Sequence, residues 1–435
     1  MYTLPSKLKL FAIIFMVVGA IGIIGGFVTA PSSKEEVKEM LASHHGDGHG
    51  THADTADTHA DDEAHIEHVY HQVQNRPWSA IYVAAFFFFM IALGALAFYA
   101  IQNAAQAGWS PVLFRVMEGV TAYLLPGSLI VLLLLLLSSF HVNHIFHWMD
   151  ANLINPEHED YDALIAGKSG WLNPVTFIIR AVLYIAGWNI FRYFLRRNSL
   201  RQDEATDNSW FKKNFKLSAG FLVFFIVTES MMSWDWIMSF DPHWFSTLFG
   251  WYVFASMIVS AVTVIALITI YLKSKGYLEY VNDSHIHDLA KFMFAFSIFW
   301  TYLWFSQFML IWYANIPEEV TYFVTRIENY KLPFFGMLAM NFVFPILLLM
   351  NSDYKRVNWF VVMTGIVILL GHYIDVFVMV MPATVGESWF IGLPEIGALL
   401  FFLGLFMLVV FTALTKAPLM VKRNPFIEES KHFHY

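Results

Sequence analysis

Between Trp78 and Ile101 the chain reads WSAIYVAAFFFFMIALGALAFYAI, 24 residues without one Asp, Glu, Lys or Arg. Coiled as a helix at 1.5 Å per residue, such a run is about 36 Å long, enough to cross the roughly 30 Å of a bilayer's hydrocarbon. Working outward, the same criterion gives nine more spans: Phe11 to Ala30, Val112 to Phe140, Pro174 to Leu195, Leu217 to Met232, Leu248 to Leu272, Phe292 to Tyr313, Phe334 to Met350, Trp359 to Met381 and Ile396 to Leu414. The expectation is an all-α integral membrane protein with ten transmembrane helices.

Composition agrees with this. Of 435 residues, 57% are hydrophobic and 14% charged, against about 25% charged in soluble domains, and the mean hydropathy is +0.54. A soluble enzyme is excluded. The chain has no cysteine, so iron–sulfur clusters, blue copper and c-type haem, which need thiols, belong on other polypeptides. A net charge of −8 with scattered basic residues lacks the basic stripe of a nucleic-acid binder.

Basic residues favour the cytoplasmic side. Lys7 and Lys9 precede span one, seven Lys and Arg residues from Arg192 to Lys216 crowd between spans four and five, and Lys273, Lys275, Lys355, Arg356, Lys416, Lys422 and Arg423 fall on the same side. The opposite loops hold Lys34, Lys38, Arg76, Lys168, Arg326 and Lys331. Both termini are therefore expected in the cytoplasm. Span one is too long for a typical signal-peptide core and is expected to remain as an anchor. Trp78, Trp171, Trp251, Tyr271, Tyr313 and Trp359 at span ends suit an interfacial aromatic belt.

Five segments follow. Residues 1–30 form the first helix and 31–76 an external His- and acid-rich loop; 77–216 hold spans two to four up to the start of the fifth helix. Residues 217–381 hold spans five to nine, and 382–435 hold the tenth helix and a tail. In the loop, His44, His45, His49, His52, His59, His65, His68 and His71 alternate with Asp and Glu. The composition allows metal binding, but the spacings match no defined site, and a solvated loop lying on a partner is the plainer reading.

Ionisable residues inside spans are costly and hence candidates for function. Counted at 1.5 Å per residue, Arg180, Gln307 and Asp375 each lie about 9 Å in from the external ends of spans four, seven and nine. Glu229 reaches that level if span five continues through Trp234 and Trp236. His372 shares a helical face with Asp375, and Arg180 facing Asp375 would make an ion pair across the protein. The group reads either as a polar clamp that fixes packing or as a site that accepts protons or faces a quinone. Glu118 is the one carboxylate near a cytoplasmic span end; it admits protons or pairs with Arg115 one turn earlier. At the external end of span three, His141, His144 and His147 form a drifting row that brings at most two imidazoles together. Asp235, Asp241 and His243 add polar material on that side, suited to proton release or docking and equally to solvated caps. Only His372 is clearly intramembrane, which rules out a di-histidine b-type haem. The residues thus give no metal site and no catalytic group.

Two stretches are distinctive: SWDWIMSFDPHWFSTLFGWY from Ser233 to Tyr252 and HDLAKFMFAFSIFWTYLWFSQFMLIWYANIPEE from His287 to Glu319. On these the chain resembles the ActF subunit family of bacterial alternative complex III, a quinol to cytochrome c oxidoreductase, within the wider NrfD- or PsrC-like (polysulfide reductase) membrane subunits. The resemblance spans essentially the whole chain. It implies two four-helix bundles, spans two to five and six to nine, flanked by helices one and ten; the sequence itself shows only weak similarity between the ends of spans three and seven. It also implies partners: a homologous ActC-like membrane subunit, an iron–sulfur protein, multihaem and monohaem cytochromes c, small membrane subunits and often a haem–copper oxidase. Quinol, haem c and iron–sulfur clusters would then sit in the complex, none of them held by this chain. Since the family's quinol site is ascribed to the ActC-like subunit, the chain is expected to be a scaffold and proton route. Glu229, Asp235, His372 and Asp375 are the pathway or quinone-proximal candidates, with Arg180 as counter-charge. The alternatives are a quinone-binding subunit of the polysulfide-reductase type, with its site among spans two to five, and a secondary transporter. For the latter, Pro126 and Pro345 interrupt spans, but the charges lie off-centre.

Overall fold

The computed structural model describes residues 2–31, 33–38 and 58–434, and of 58–65, 67 and 68 the backbone alone. Among the described residues ten helices are long and apolar enough to cross a membrane, and helix makes up the regular secondary structure of those residues. The chain is an all-α, multi-pass membrane protein. The helices are α1 (Ser6–Val28), α2 (Thr58–Ala104), α3 (Pro111–Ser139), α4 (Pro174–Gln202), α5 (Ser209–Trp236), α6 (Phe249–Ser274), α7 (Asp283–Ala314), α8 (Lys331–Leu349), α9 (Asn358–Thr384) and α10 (Leu393–Leu414).

Helices α2 to α5 pack around one another, as do α6 to α9, and the two groups meet where α2 lies against α6 and α9. These central helices explain the opening stretch. Almost every residue of α2 and α6 in the span is enclosed, so their all-round hydrophobicity faces protein and not lipid. Helices α1 and α10 pair with each other and lie against the first bundle. Their approach is backbone to backbone: a Cβ on Gly397 would stand 2.7 Å from the Ile23 nitrogen and 2.9 Å from the Gly19 oxygen. Small residues permit such contact, where dispersion rather than burial from water holds helices together.

Two segments depart from the sequence reading. Helix α2 begins at Thr58, so residues 58–76 are helical where a loop was expected. The acids and histidines there hid a helix because the reading looked for apolar runs. Helix α5 runs from Ser209 to Trp236, past the expected Leu217 to Met232 at both ends, so the segment boundary at 216 falls inside it. His44, His45, His49 and His52 lie outside the described residues, and so do the side chains of His59, His65 and His68.

Local signals set the ends that matter for the site. Asn173 caps α4, its side chain accepting from the Thr176 N–H, with Pro174 at the first helical position. Asn315 ends α7 in the left-handed conformation, φ 49°, and Pro317 then opens the amphipathic helix Pro317–Glu328. In α8 a π turn spans Ala339–Val343 just before Pro345, which lacks an N–H to continue the regular ladder. The turn carries Asn341 against Gly371, where a Cβ would overlap the Asn341 amide.

Candidate functional site

Asp375 and His372 stand one turn apart on α9, both fully enclosed. Tyr252 of α6 donates its hydroxyl to Asp375 Oδ1. Oδ2 accepts from Ser256 Oγ at 2.9 Å and from Trp300 Nε1 at 2.9 Å, and His372 Nδ1 lies 3.3 Å from it. Ser256 Oγ is also 2.9 Å from His372 Nδ1, and the Trp300 ring meets the imidazole edge-on at 5.2 Å. Among the described residues no Lys or Arg pairs with Asp375; its one ionic neighbour is the histidine. The Asp375 carboxylate is thus met by three neutral donors and one imidazole, without a guanidinium or ammonium beside it among those residues.

Beyond Asp375, toward the histidine-rich side, lies a cavity of about 10 Å³ bordered by Tyr252, Trp304, Gln307, Tyr322 and Arg326. This is roughly the room one water needs. Gln307 Oε1, Trp304 Nε1 and Arg326 Nε have no hydrogen-bond partner among the described residues. Arg326 is buried, lies over the Tyr322 ring at 3.3 Å and donates to the Tyr322 carbonyl at 2.8 Å. Burial holds the Tyr322 phenol above its ordinary value, so it remains a donor. On the other side of Asp375, buried hydroxyls of Ser260, Thr263, Ser297 and Thr364 lie within the second bundle, and His287 and Asp288 stand at the basic end of α7.

The expected pairing of Arg180 with Asp375 is corrected. Arg180 grips Asp235 instead, through Nε to Oδ2 at 2.7 Å and Nη2 to Oδ1 at 2.9 Å. Helix α4 packs on α5, while α9 belongs to the other bundle, and depth along a span says nothing of lateral neighbours. Trp171 Nε1 donates to Asp235 at 2.8 Å and Tyr184 Oη at 3.3 Å. The guanidinium lies 4.2 Å from the centre of the Trp171 ring. Glu229, deeper in α5, is buried and accepts from Ser233 Oγ at 3.1 Å.

Glu118 does pair with Arg115, Nη1 to Oε2 at 2.6 Å. Arg196 donates to the same oxygen, Tyr99 Oη to the other at 3.1 Å, and Arg115 also reaches Asp203 at 2.5 Å. This carboxylate is bound on both oxygens.

On the histidine-rich side the helical row ends at His141, which has a φ of 57°. His141 and His144 lie 6.4 Å apart by ring centres, and His71 of α2 is 5.9 Å from His144. His147 opens a separate short turn. All four border a cavity of about 520 Å³ that also touches Asp150, Asp241 and His243. Burial and the neighbouring His71 and His141 push the His144 imidazole below its ordinary value. His243 Nε2 is 2.5 Å from Asp162.

The sequence reading missed Tyr252, Ser256, Trp300, Tyr322 and Arg326 around Asp375, and Trp171 and Tyr184 around Asp235. One signal was there: Tyr-Val-x-Ala occurs at Tyr82 to Ala85 and at Tyr252 to Ala255. In the first bundle the Tyr82 hydroxyl donates to the carbonyl of Trp236, next to Asp235, at 2.8 Å; in the second, Tyr252 reaches Asp375. Each bundle thus brings a tyrosine of its first helix to the acidic turn of its last. Compared with models of known protein families the chain matches none, and no curated protein matches it.

Proposed function

We propose that this chain is an integral membrane subunit of a quinol-oxidising respiratory complex of the alternative complex III kind, passing electrons from quinol to cytochrome c or an oxidase. In this reading the chain is a scaffold and a proton route without a redox centre of its own. Its partners are an ActC-like membrane subunit, an iron–sulfur protein, cytochromes c and small membrane subunits, and its basic side faces the bacterial cytoplasm.

The observation that carries the reading is Asp375: a fully enclosed carboxylate met by neutral donors and one histidine. A structural acid in a bilayer is ordinarily matched by a cation, as Asp235 is by Arg180. An acid left without one is costly unless it takes up a proton, and such residues mark proton routes. The reading is supported by buried hydroxyls on one side of Asp375 and the one-water cavity at Gln307 and Arg326 on the other.

A specific observation favours a second reading, a quinone-binding subunit of the polysulfide-reductase type. Beside Asp235 lies a cavity of about 350 Å³ walled by Trp171, Trp234, Trp244 and Phe245. The Nε1 atoms of Trp234 and Trp244 have no partner among the described residues. Aromatic walls with a few hydrogen-bond donors suit a quinone ring.

Mass spectrometry of everything that co-purifies from native membranes in a mild detergent tests the assignment. Multihaem cytochromes, an iron–sulfur protein and a second ten-span subunit are the expected companions; a chain that purifies alone contradicts it. Photo-crosslinking with an azidoquinone separates the two readings, since label at Trp234 or Trp244 supports the second.

A further inference from the structure

On the basic side a groove of about 750 Å³ opens between α1, α3, α4 and α10. Its walls are apolar, built from Leu125 and Pro126 of α3 and Leu408 and Val409 of α10. Pro126 withholds the N–H that would bond the Ala122 carbonyl, and α3 tightens to a 3-10 turn over Thr121–Tyr123 just below it.

The rim is cationic: Lys9 from α1, Arg192 and Arg196 from α4, and Lys416 just past α10. The one carboxylate in the lining, Glu118, is already occupied by Arg115, Arg196 and Tyr99. Arg192, half-buried, has a hydrogen bond to Thr121 Oγ1 at 3.2 Å. None of Lys9, Arg192 and Lys416 has an ion-pair partner among the described residues. Three cations without an ion-pair partner among the described residues, at the ends of membrane helices and above an apolar trough, call for an anion with hydrocarbon attached.

We propose that this groove binds one anionic diacyl phospholipid, its phosphate held by Lys9, Arg192 and Lys416 and an acyl chain lying along Leu125 and Leu408. Basic pockets between spans at this level are suited to such headgroups. A neutral lipid or a quinone leaves the cations unmatched. The inference rests on the membrane fold alone and stands or falls separately from the quinol-oxidising reading.

Native mass spectrometry of the full chain in its complex tests it, with dioleoyl phosphatidylglycerol, dioleoyl phosphatidylcholine and inorganic phosphate as probes. One phosphatidylglycerol is expected to survive activation that strips phosphatidylcholine. Arg192→Gln and Lys416→Gln should each weaken retention about fivefold, the effect of one interfacial cation. Ala413→Trp, which fills the trough and keeps the charges, should displace the lipid as well; if it does not fold, the charge variants decide. Equal retention of phosphatidylcholine would overturn the proposal, since the groove would then be unselective. So would competition by inorganic phosphate at equal affinity, the mark of a free-anion site, or full retention in the folded charge variants.

Discussion

Arg180 and Asp235 are joined by two parallel hydrogen bonds of 2.7 and 2.9 Å between neighbouring helices α4 and α5. Both partners are largely withdrawn from solvent, so removing one strands the other. Arg180→Met is expected to lower stability by about 3 kcal/mol, the lower end for a broken buried pair. The double variant Arg180→Met with Asp235→Leu should recover most of that. Thermal unfolding in detergent checks both; a single variant as stable as the parent would show the pair to be idle.

The same distinction can be made with two tryptophans on α7. Trp300 Nε1 donates to Asp375, whereas Trp304 Nε1 has no partner among the described residues. Trp300→Phe should cost about 1–3 kcal/mol by leaving a buried acceptor short of a donor. Trp304→Phe removes no bond to another described residue, so it should cost less than Trp300→Phe, the ring volume lost being the same in both. The reverse order would mean that the indole of Trp300 is not engaged.

The approach of α1 to α10 depends on position. Gly397→Val would drive a methyl group into the backbone of α1 at Gly22 and Ile23 and should loosen the pair, read as faster proteolysis between α10 and the tail. At Gly25 the nearest atom to a new Cβ is Leu393 Cδ1 at 3.6 Å, ordinary contact, so Gly25→Val should be tolerated.

His144 gives the histidine-rich face a pH dependence. His144 is held below its ordinary value of 6.5, first by burial and then by His71 and His141, with Asp150 opposing. The unfolded segment therefore binds protons more readily than the folded one. Stability is fully present above the unfolded value and is lost as the pH falls through it. Hydrogen-exchange protection factors around Asn143 to Asp150, corrected for the intrinsic rate at each pH, should fall as the pH is lowered from about 7 to about 5, and His144→Gln should flatten that change. A parent segment with the same protection at both ends of the range would count against this.

All ten spans were legible because hydrophobic length is a local property, readable one run at a time. Residues 58–76 were not, since a helix that carries His and Asp gives no apolar run. Asp375, His372 and their common face were legible from spacing along one helix. Their partners Tyr252, Ser256 and Trp300 sit on α6 and α7, and only packing brings them in. The same limit produced the mistaken match of Arg180 with Asp375: two charges at equal depth are neighbours only if their helices touch. The one-water cavity and the Arg326 that closes it come from a short amphipathic helix outside the spans, where no depth count applies.

The proton role assigned to Asp375 is tested most directly by reconstituting the complex with Asp375→Asn in vesicles and measuring protons moved per electron during quinol oxidation. Asparagine keeps the size of the side chain and much of its hydrogen bonding but cannot carry a proton. Electron transfer should continue while the proton ratio falls, and His372→Ala should lower it too. A ratio equal to that of the parent in both variants would contradict the account and leave Asp375 as a packing residue.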